Sequence, residues 1–569
     1  MKQIYLAMSF STLAVLFFFH TFLFHLDQTT CNHNDACSAF FILKTHFDHF
    51  SHRDFSHLFE SQMFHPEMNT LALGHSLFIP AIEAYPLFLF SHNLIFSTNA
   101  VLIIHFFLAF IGAYLLCYKL GKNISASVIG ALIYSYNPFI MSHFPEQYEI
   151  TTHQFLPFFF LFLEYWLETG KFGAFLGAAL TLLLQIIAYF YYSFFLLVLL
   201  PLFLLVRLPE VKKRLQPTFL LKAAITFCLL LLPLYWYISP YLQMRKLENL
   251  TRPLSEVAGD SARPSDYFFT FWNNWLYGKL NANRLLASIR YPLGDPRINE
   301  HSLFPGLTVY VLFIGSLIFL IKKKLWRHNP KIFSYVLLLV VSVILSFGPY
   351  ARIFGLQINL PFYYVHQFLP FAQSMRVPTR VAVFAFLALA ILASYFWSSL
   401  WAKFSFKKMR ILSVLVIIFL LIEYFSVGPA TFSLSSDYIS FFSWLNAQQS
   451  VKGIVSLPMA NGLFYDDRLV RDSFLDTQYI YYATFHDKKM VNGYMAFIPK
   501  WYYRLGNYLD YKIDDKIIHS LRSRGIDLLI VHKDEYIRSE IRAAAITRIE
   551  AIVKTKVFEN DTVVAYKLN

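Results

Sequence analysis

Charge is what this sequence has least of. Only 15% of its 569 residues are Asp, Glu, Lys or Arg, against about 25% in soluble domains, which excludes an ordinary water-soluble globule. No HExxH, paired CxxC, P-loop or GxSxG occurs, so zinc-protease, kinase and soluble-type hydrolase chemistry have no foothold. No long low-complexity tract or repeat is present. No secretory cleavage pattern follows the first apolar run, which therefore reads as a retained helix.

What remains is apolar: 57% hydrophobic and 19% aromatic residues, the composition of a polytopic membrane protein. The net charge of +14 does not imply a nucleic-acid partner, because the basic residues fall in short clusters between apolar runs. That pattern is how membrane proteins set their orientation. Since a crossing helix needs about 20 mostly apolar residues, spans are expected near 4–25, 97–118, 125–142, 154–169, 173–190, 191–207, 218–238, 303–321, 332–349, 379–398 and 411–428. With the N-terminus cytoplasmic, the clusters at Lys119 and Lys122, at Lys171, and in 207–217, 322–327 and 403–410 all lie inside.

Residues 26–96, 239–302, 350–378 and everything beyond 429 then face outward. The apolar stretch 76–90, interrupted by Pro80, Glu83 and Pro86, reads as a helix on or dipping into the interface. The chain divides into a membrane domain, 1–429, and an extracytoplasmic domain, 430–569. The latter mixes β-type runs ("GIVSLPM", "IDLLIVH", "TVVAYKL") with helical stretches, as in a small α/β domain.

Few residues in this setting carry chemistry. Asp35 opens the first outer loop between Cys31 and Cys37, which either close a small disulfide loop on an oxidising side or stay free thiols beside a solvated aspartate. Cys117 and Cys228 fall in spans and read as buried packing residues. The same loop holds His33, His46, His49, His52, His57, His65 and His75. Zinc ligation by His46, His49 and His52 on one helix face competes with an amphipathic interfacial helix that uses imidazole on its polar side. Arg376 and Arg380 precede a span on the outer side, against the positive-inside trend. Such charges serve either headgroup anchoring or phosphate binding, for which the guanidinium fork is suited.

Ordered along the chain are stretches that resemble the YfhO-related polytopic membrane proteins, a group with GT-C glycosyltransferase-like architecture. "NDACSAFFILKTHFDHF" (34–50) and "MFHPEMNTLALGH" (63–75) are similar to that family's "GDP…W…H" and "FYPHPNTLAFSEH". "YNPFIMSH…HQFLP" (136–157), "ARPSDYF" (262–268), "NEHSLFPG" (299–306) and "FLPFAQSMRVPTR" (368–380) follow in the family's order. "MVNGYMAFIPKWYY" and "LRSRGIDLLIVHKDEY" continue it in the C-terminal part. Asp35 falls on the family acid and His75 on the family histidine. The glycine and proline flanking that acid are replaced by Asn34 and Ala36, its histidine's acidic neighbour by Gly74, and the two cysteines are not a family feature.

The resemblance implies an α-helical GT-C-like fold and an inverting transfer from a polyprenyl-phosphate sugar to a glycan, lipid or protein acceptor at the outer face of a bacterial inner membrane. It makes Asp35 the base. His75, by its match to the family histidine, and His143, Gln154, Asp266, Glu300, Arg376 and Arg380, near outer span ends, become the substrate-binding set. No cofactor is called for, although a divalent metal is compatible with the acidic residues. The competing expectation is a non-catalytic protein for lipid or glycan transport or envelope assembly, which would depend on polar residues deep inside the spans.

Overall fold

A computed structural model describes residues 1–278, 299–353, 356–459, 474–511, 513–536 and 539–568. Long apolar runs can satisfy their backbone polar groups in lipid only by closing them internally, and every one of the expected spans falls on a helix or a pair of helices. Among the described residues, Leu94–Gly121, Ile124–His143, Pro217–Glu248 and Pro378–Trp401 are long and apolar enough to cross a bilayer. Phe190–Val206 joins Leu208–Arg214 through a 91° bend as a fifth.

The other apolar helices, Lys2–Phe18, Phe78–Ser91, Phe172–Ala188, Leu307–Lys322 and Pro330–Ser346, are shorter. At 1.5 Å per residue, a 17-residue helix rises only about 25 Å, less than a hydrocarbon core of roughly 30 Å. Length and composition therefore do not reach the full expected count. The run at 4–25 breaks at Phe19. The run at 125–142 turns at Asn137, whose side chain caps Ile140 while Pro138 begins the next helical turn.

The bundle is organised around Ala382–Trp401, buried along almost its whole length. Its alanines let neighbouring backbones approach closely. A Cβ added to Gly130 would come within 3.0 Å of the Ala390 carbonyl oxygen and 2.5 Å of Cys117 Sγ. Cys117 is buried there as expected, whereas Cys228 is exposed. The reason is that Pro217–Glu248 stands at the periphery, with only Phe219, Thr226, Tyr237 and Met244 buried along it.

The loops sort to two ends, about 40 Å apart along Leu94–Gly121. At one end Lys119 pairs with Glu168, and Arg214 Nε donates to the Leu167 carbonyl at 3.0 Å. Ser398 Oγ donates to the Gly121 carbonyl at the same end. Here too the fully buried Arg207 meets Glu164 (2.6 Å) and Glu210 (2.5 Å).

The other end carries the first loop and the C-terminal part. Asp35–His52 is enclosed by Phe78–Ser91, Leu94–Gly121 and Leu475–Tyr482, so it is a core helix and not an interfacial one. Phe78–Ser91 buries Ile79, Ala81 and Ala84 and leaves Ile82, Leu89 and Phe90 exposed.

Beyond residue 430 lies a five-stranded mixed sheet in the order Lys489–Met490, Gly453–Leu457, Leu528–His532, Val563–Lys567, Thr555–Glu559. The first three strands are parallel and the last two pair antiparallel. Its core is continuous with the first loop: Phe40, Leu43, Phe64 and Leu73 join Tyr479, Val491 and Tyr502 in one apolar cluster. Backbone bonds stitch the two together, with Met490 N–H donating to Gln62 (2.8 Å) and Phe497 N–H to Leu73 (3.0 Å).

Candidate active site

Asp35 is the first residue of the helix Asp35–His52. A carboxylate there faces the positive end of the helix dipole. Cys31 and Cys37 form a disulfide around it, their Cα atoms 4.6 Å apart. Peptides prepared without reduction should therefore retain a 31–37 link, with only Cys117 and Cys228 alkylated after denaturation. Recovery of Cys31 and Cys37 as alkylated thiols would exclude the bond.

Each oxygen of Asp35 has a donor. Gln147 Nε2 reaches Oδ2 at 3.1 Å and the Tyr494 hydroxyl reaches Oδ1 at 3.1 Å. Burial raises the Asp35 carboxyl above its ordinary range and Glu149 adds to this, while the two hydrogen bonds and Arg376 pull it back. Glu146 is raised by burial and by Asp35. Glu149 links this half of the site to the next, being raised by burial and pulled down by Arg380.

The second half is built on the segment before Ala382–Trp401. Arg380 is buried and already engaged: Nε and Nη2 both donate to Glu300 Oε1 (2.9 and 2.5 Å), and Nη1 donates to the Tyr189 hydroxyl (2.5 Å). His143 Nε2 lies 3.4 Å from Glu300 Oε2. Burial alone would raise Glu300, but Arg380 and His143 hold it well below the usual carboxylate range. Arg376 differs. Its Nε sits 3.1 Å from Asp260 Oδ2, its backbone N–H donates to the Tyr191 hydroxyl at 2.8 Å, and its side chain is 44% exposed. It is the arginine with a face left for a ligand.

His75 stands against Tyr189 and Tyr191, ring centroids 4.9 and 5.9 Å away. Burial, helped by Arg380, pushes its imidazole down to about 3, so it is neutral at physiological pH. The Arg380 guanidinium lies 5.0 Å from the Tyr191 ring centroid. Together these groups offer a carboxylate to take a proton, a partly exposed cation, and an aromatic wall.

The structure thus gathers Asp35, His75, His143, Glu300, Arg376 and Arg380 at one end of the bundle. Asp266 and Gln154 play other parts. Asp266 Oδ2 accepts from His301 Nδ1 at 2.7 Å and from the Arg263 backbone N–H at 2.8 Å, which anchors the segment that carries Glu300. Gln154 is fully buried beside the start of Phe155–Thr169, with neither amide atom hydrogen-bonded among the described residues.

Sequence reasoning missed Gln147, Glu149, Tyr189, Tyr191, Asp260 and Tyr494. The carboxylates of "PEQYE" between two apolar runs, and the tyrosines of "AYFYY" at a run junction, were the available signals.

The three histidines of the zinc reading are spent on structure. His46 Nε2 bonds the Ser76 carbonyl (2.7 Å), His49 Nε2 that of Glu60 (3.0 Å), and His52 Nδ1 that of Asp48 (2.8 Å). Among the described residues no three His, Cys, Asp or Glu side chains are arranged to hold a metal ion, so the zinc reading of this helix face finds no geometry.

No protein-family model matches the chain, and no curated protein matches it in sequence. In structure it is similar to the arabinofuranosyltransferase AftD from Mycobacteria, at TM-score 0.62 and 12% identity, over 99% of this chain and 40% of that one. A mutant form of AftD gives TM-score 0.55 at 12% identity, over 99% and 41%. The apo oligosaccharyltransferase of Archaeoglobus fulgidus aligns at TM-score 0.49 and 12% identity, over 93% and 70%. The chain spans about two fifths of AftD's length. At this identity the likeness concerns architecture alone: the chain shares the fold of the part of AftD that it aligns with, and its apolar helices are those of an integral membrane protein.

Proposed function

We propose that this protein is an inverting membrane glycosyltransferase that moves a sugar from a polyprenyl-phosphate donor to an acceptor hydroxyl at the outer face of a bacterial inner membrane. The observation that carries the reading is Asp35, a carboxylate held by two donors in a site that also holds the partly exposed Arg376. The acceptor oxygen attacks the anomeric carbon as Asp35 takes its proton, and the bond from that carbon to the phosphate oxygen breaks. Arg376 meets the charge on the departing polyprenyl phosphate. General-base help and fixed cationic stabilisation are what this displacement needs from the protein. The ordered motifs shared with YfhO-related proteins support the same reading, as does the likeness to a glycosyltransferase fold.

The direct test is incubation of the purified full chain with radiolabelled polyprenyl-phosphate sugars and a panel of glycan, lipid and protein acceptors. Transfer by the wild type and none by Asp35→Asn supports the reading. No transfer across the panel, together with lipid or glycan movement in vesicles, favours a transport role.

The orientation is tested separately. Reporter fusions at 210, 325 and 405 should report cytoplasm and one after 450 the outside, because the basic loops gather at the end opposite the site. A cytoplasmic signal beyond 450 would overturn both the orientation and the outer-face site.

A further inference from the structure

We propose that Tyr494, more than 450 residues from Asp35 in sequence, is a positioning residue that holds the Asp35 carboxylate in its working orientation. It does so through a C-terminal loop built into the wall of the site. The inference rests on the reading of Asp35 as the base.

The loop, 490–497, is fixed along its length. His65 N–H donates to the Met490 carbonyl at 2.9 Å and Phe64 N–H to that of Asn492 at 3.2 Å. The Asn492 side chain bonds both backbone groups of Ser456, accepting from its N–H (2.7 Å) and donating to its carbonyl (3.0 Å). This ties the loop to the strand Gly453–Leu457. Gly493 is required by the close approach of Phe64, since a Cβ there would stand 2.8 Å from that ring.

Arg252 closes the far side. Its guanidinium lies 4.1 Å from the Phe497 ring centroid, donates to the Ala496 carbonyl, and is itself held by Glu256 at 2.9 Å. The Arg252 backbone N–H reaches the Gln373 carbonyl at 2.7 Å, joining the clamp to the segment that carries Arg376. The loop is therefore placed by three parts of the chain at once, the first loop, the strand Gly453–Leu457 and Arg252. Its product is one hydroxyl set 3.1 Å from Asp35 Oδ1. With Gln147 on Oδ2, the carboxylate plane is defined, and each oxygen keeps a lone pair for the acceptor proton.

A donor to a carboxylate favours its charged form, and the other groups acting on Asp35 are Glu149, Glu146 and Arg376. Removing the hydroxyl leaves burial and Glu149 less opposed, so Asp35 should ionise at higher pH.

The experiment compares full-length wild type with Tyr494→Phe in detergent. A water-soluble carbodiimide and an amine label protonated Asp35, and peptide mass spectrometry reads the extent against pH. The labelling midpoint should move to higher pH. In the transfer assay the acid limb of the rate should move the same way, with roughly tenfold loss below the limb, the scale of one hydrogen bond to a charged group. KM for the donor should stay unchanged.

Arg252→Lys, which keeps the charge and loses the fork, should move the midpoint in the same direction by less. It also serves if Tyr494→Phe elutes as aggregate. An unchanged midpoint in either folded variant overturns the inference. A shifted midpoint with no sugar transfer by the wild type leaves Tyr494 as the holder of Asp35 and removes the glycosyltransferase reading instead.

Discussion

Asp35→Asn should lower sugar transfer by about 10²–10⁴-fold, the usual contribution of a general base, in a protein that still folds. The amide is nearly isosteric and cannot take a proton from the acceptor. Stability should be unchanged or slightly improved. Burial and Glu149 already work against the charged carboxylate, and a neutral amide escapes that cost. The wild-type rate should fall as pH drops through the Asp35 pKa, which lies above its ordinary value of 3.8, because the protonated acid cannot act as base. Asp35→Asn should lack this dependence. Thermal unfolding followed by size exclusion, beside the pH–rate profile, checks both parts. Full transfer by Asp35→Asn would end the mechanism.

Arg380→Ala should act mainly on stability, at about 3–5 kcal/mol, the scale for removing one partner of a buried ion pair. Each nitrogen of the buried guanidinium is already engaged: Glu300 takes Nε and Nη2, and Tyr189 takes Nη1. Its loss leaves Glu300 buried, with His143 and Thr379 as its remaining polar side-chain contacts among the described residues.

The pH signature has a definite sign. In the wild type, Glu300 is held low, so its stabilising contribution is complete above its ordinary value of 4.5 and lost only as pH falls well beneath it. Without Arg380, burial raises the carboxyl instead, and the variant should recover stability as acid neutralises Glu300. Arg380→Leu with Glu300→Leu should restore much of the loss, since the stranded charge is gone. Arg376→Ala, at a partly exposed arginine, should keep its melting temperature and weaken donor binding. Equal melting of Arg380→Ala and wild type would show that the pair contributes little.

The two arginines show where sequence reading ends. "SMRVPTR" reveals two cations before an apolar run on the side where basic residues are scarce, and both read equally well as phosphate ligands. Only the fold separates them, because Glu300 and Tyr189 arrive from distant segments and occupy one guanidinium while Asp260 leaves the other partly open. His46, His49 and His52 show the same limit. Their spacing permits a metal site, yet each of these imidazoles finds a backbone carbonyl that the spacing could not reveal.

The sequence by itself determined the membrane class, the positions of the apolar helices and the gathering of basic loops at one end. These follow from local composition, since an apolar run must become a helix in lipid and basic loops avoid translocation. The tertiary structure decided the rest: how few helices have full crossing length, the shared core of the first loop and the C-terminal sheet, and the use of each polar side chain. A hydrogen bond such as that from Tyr494 to Asp35 joins residues far apart in sequence. It depends on several elements meeting at once, and no local pattern encodes that meeting.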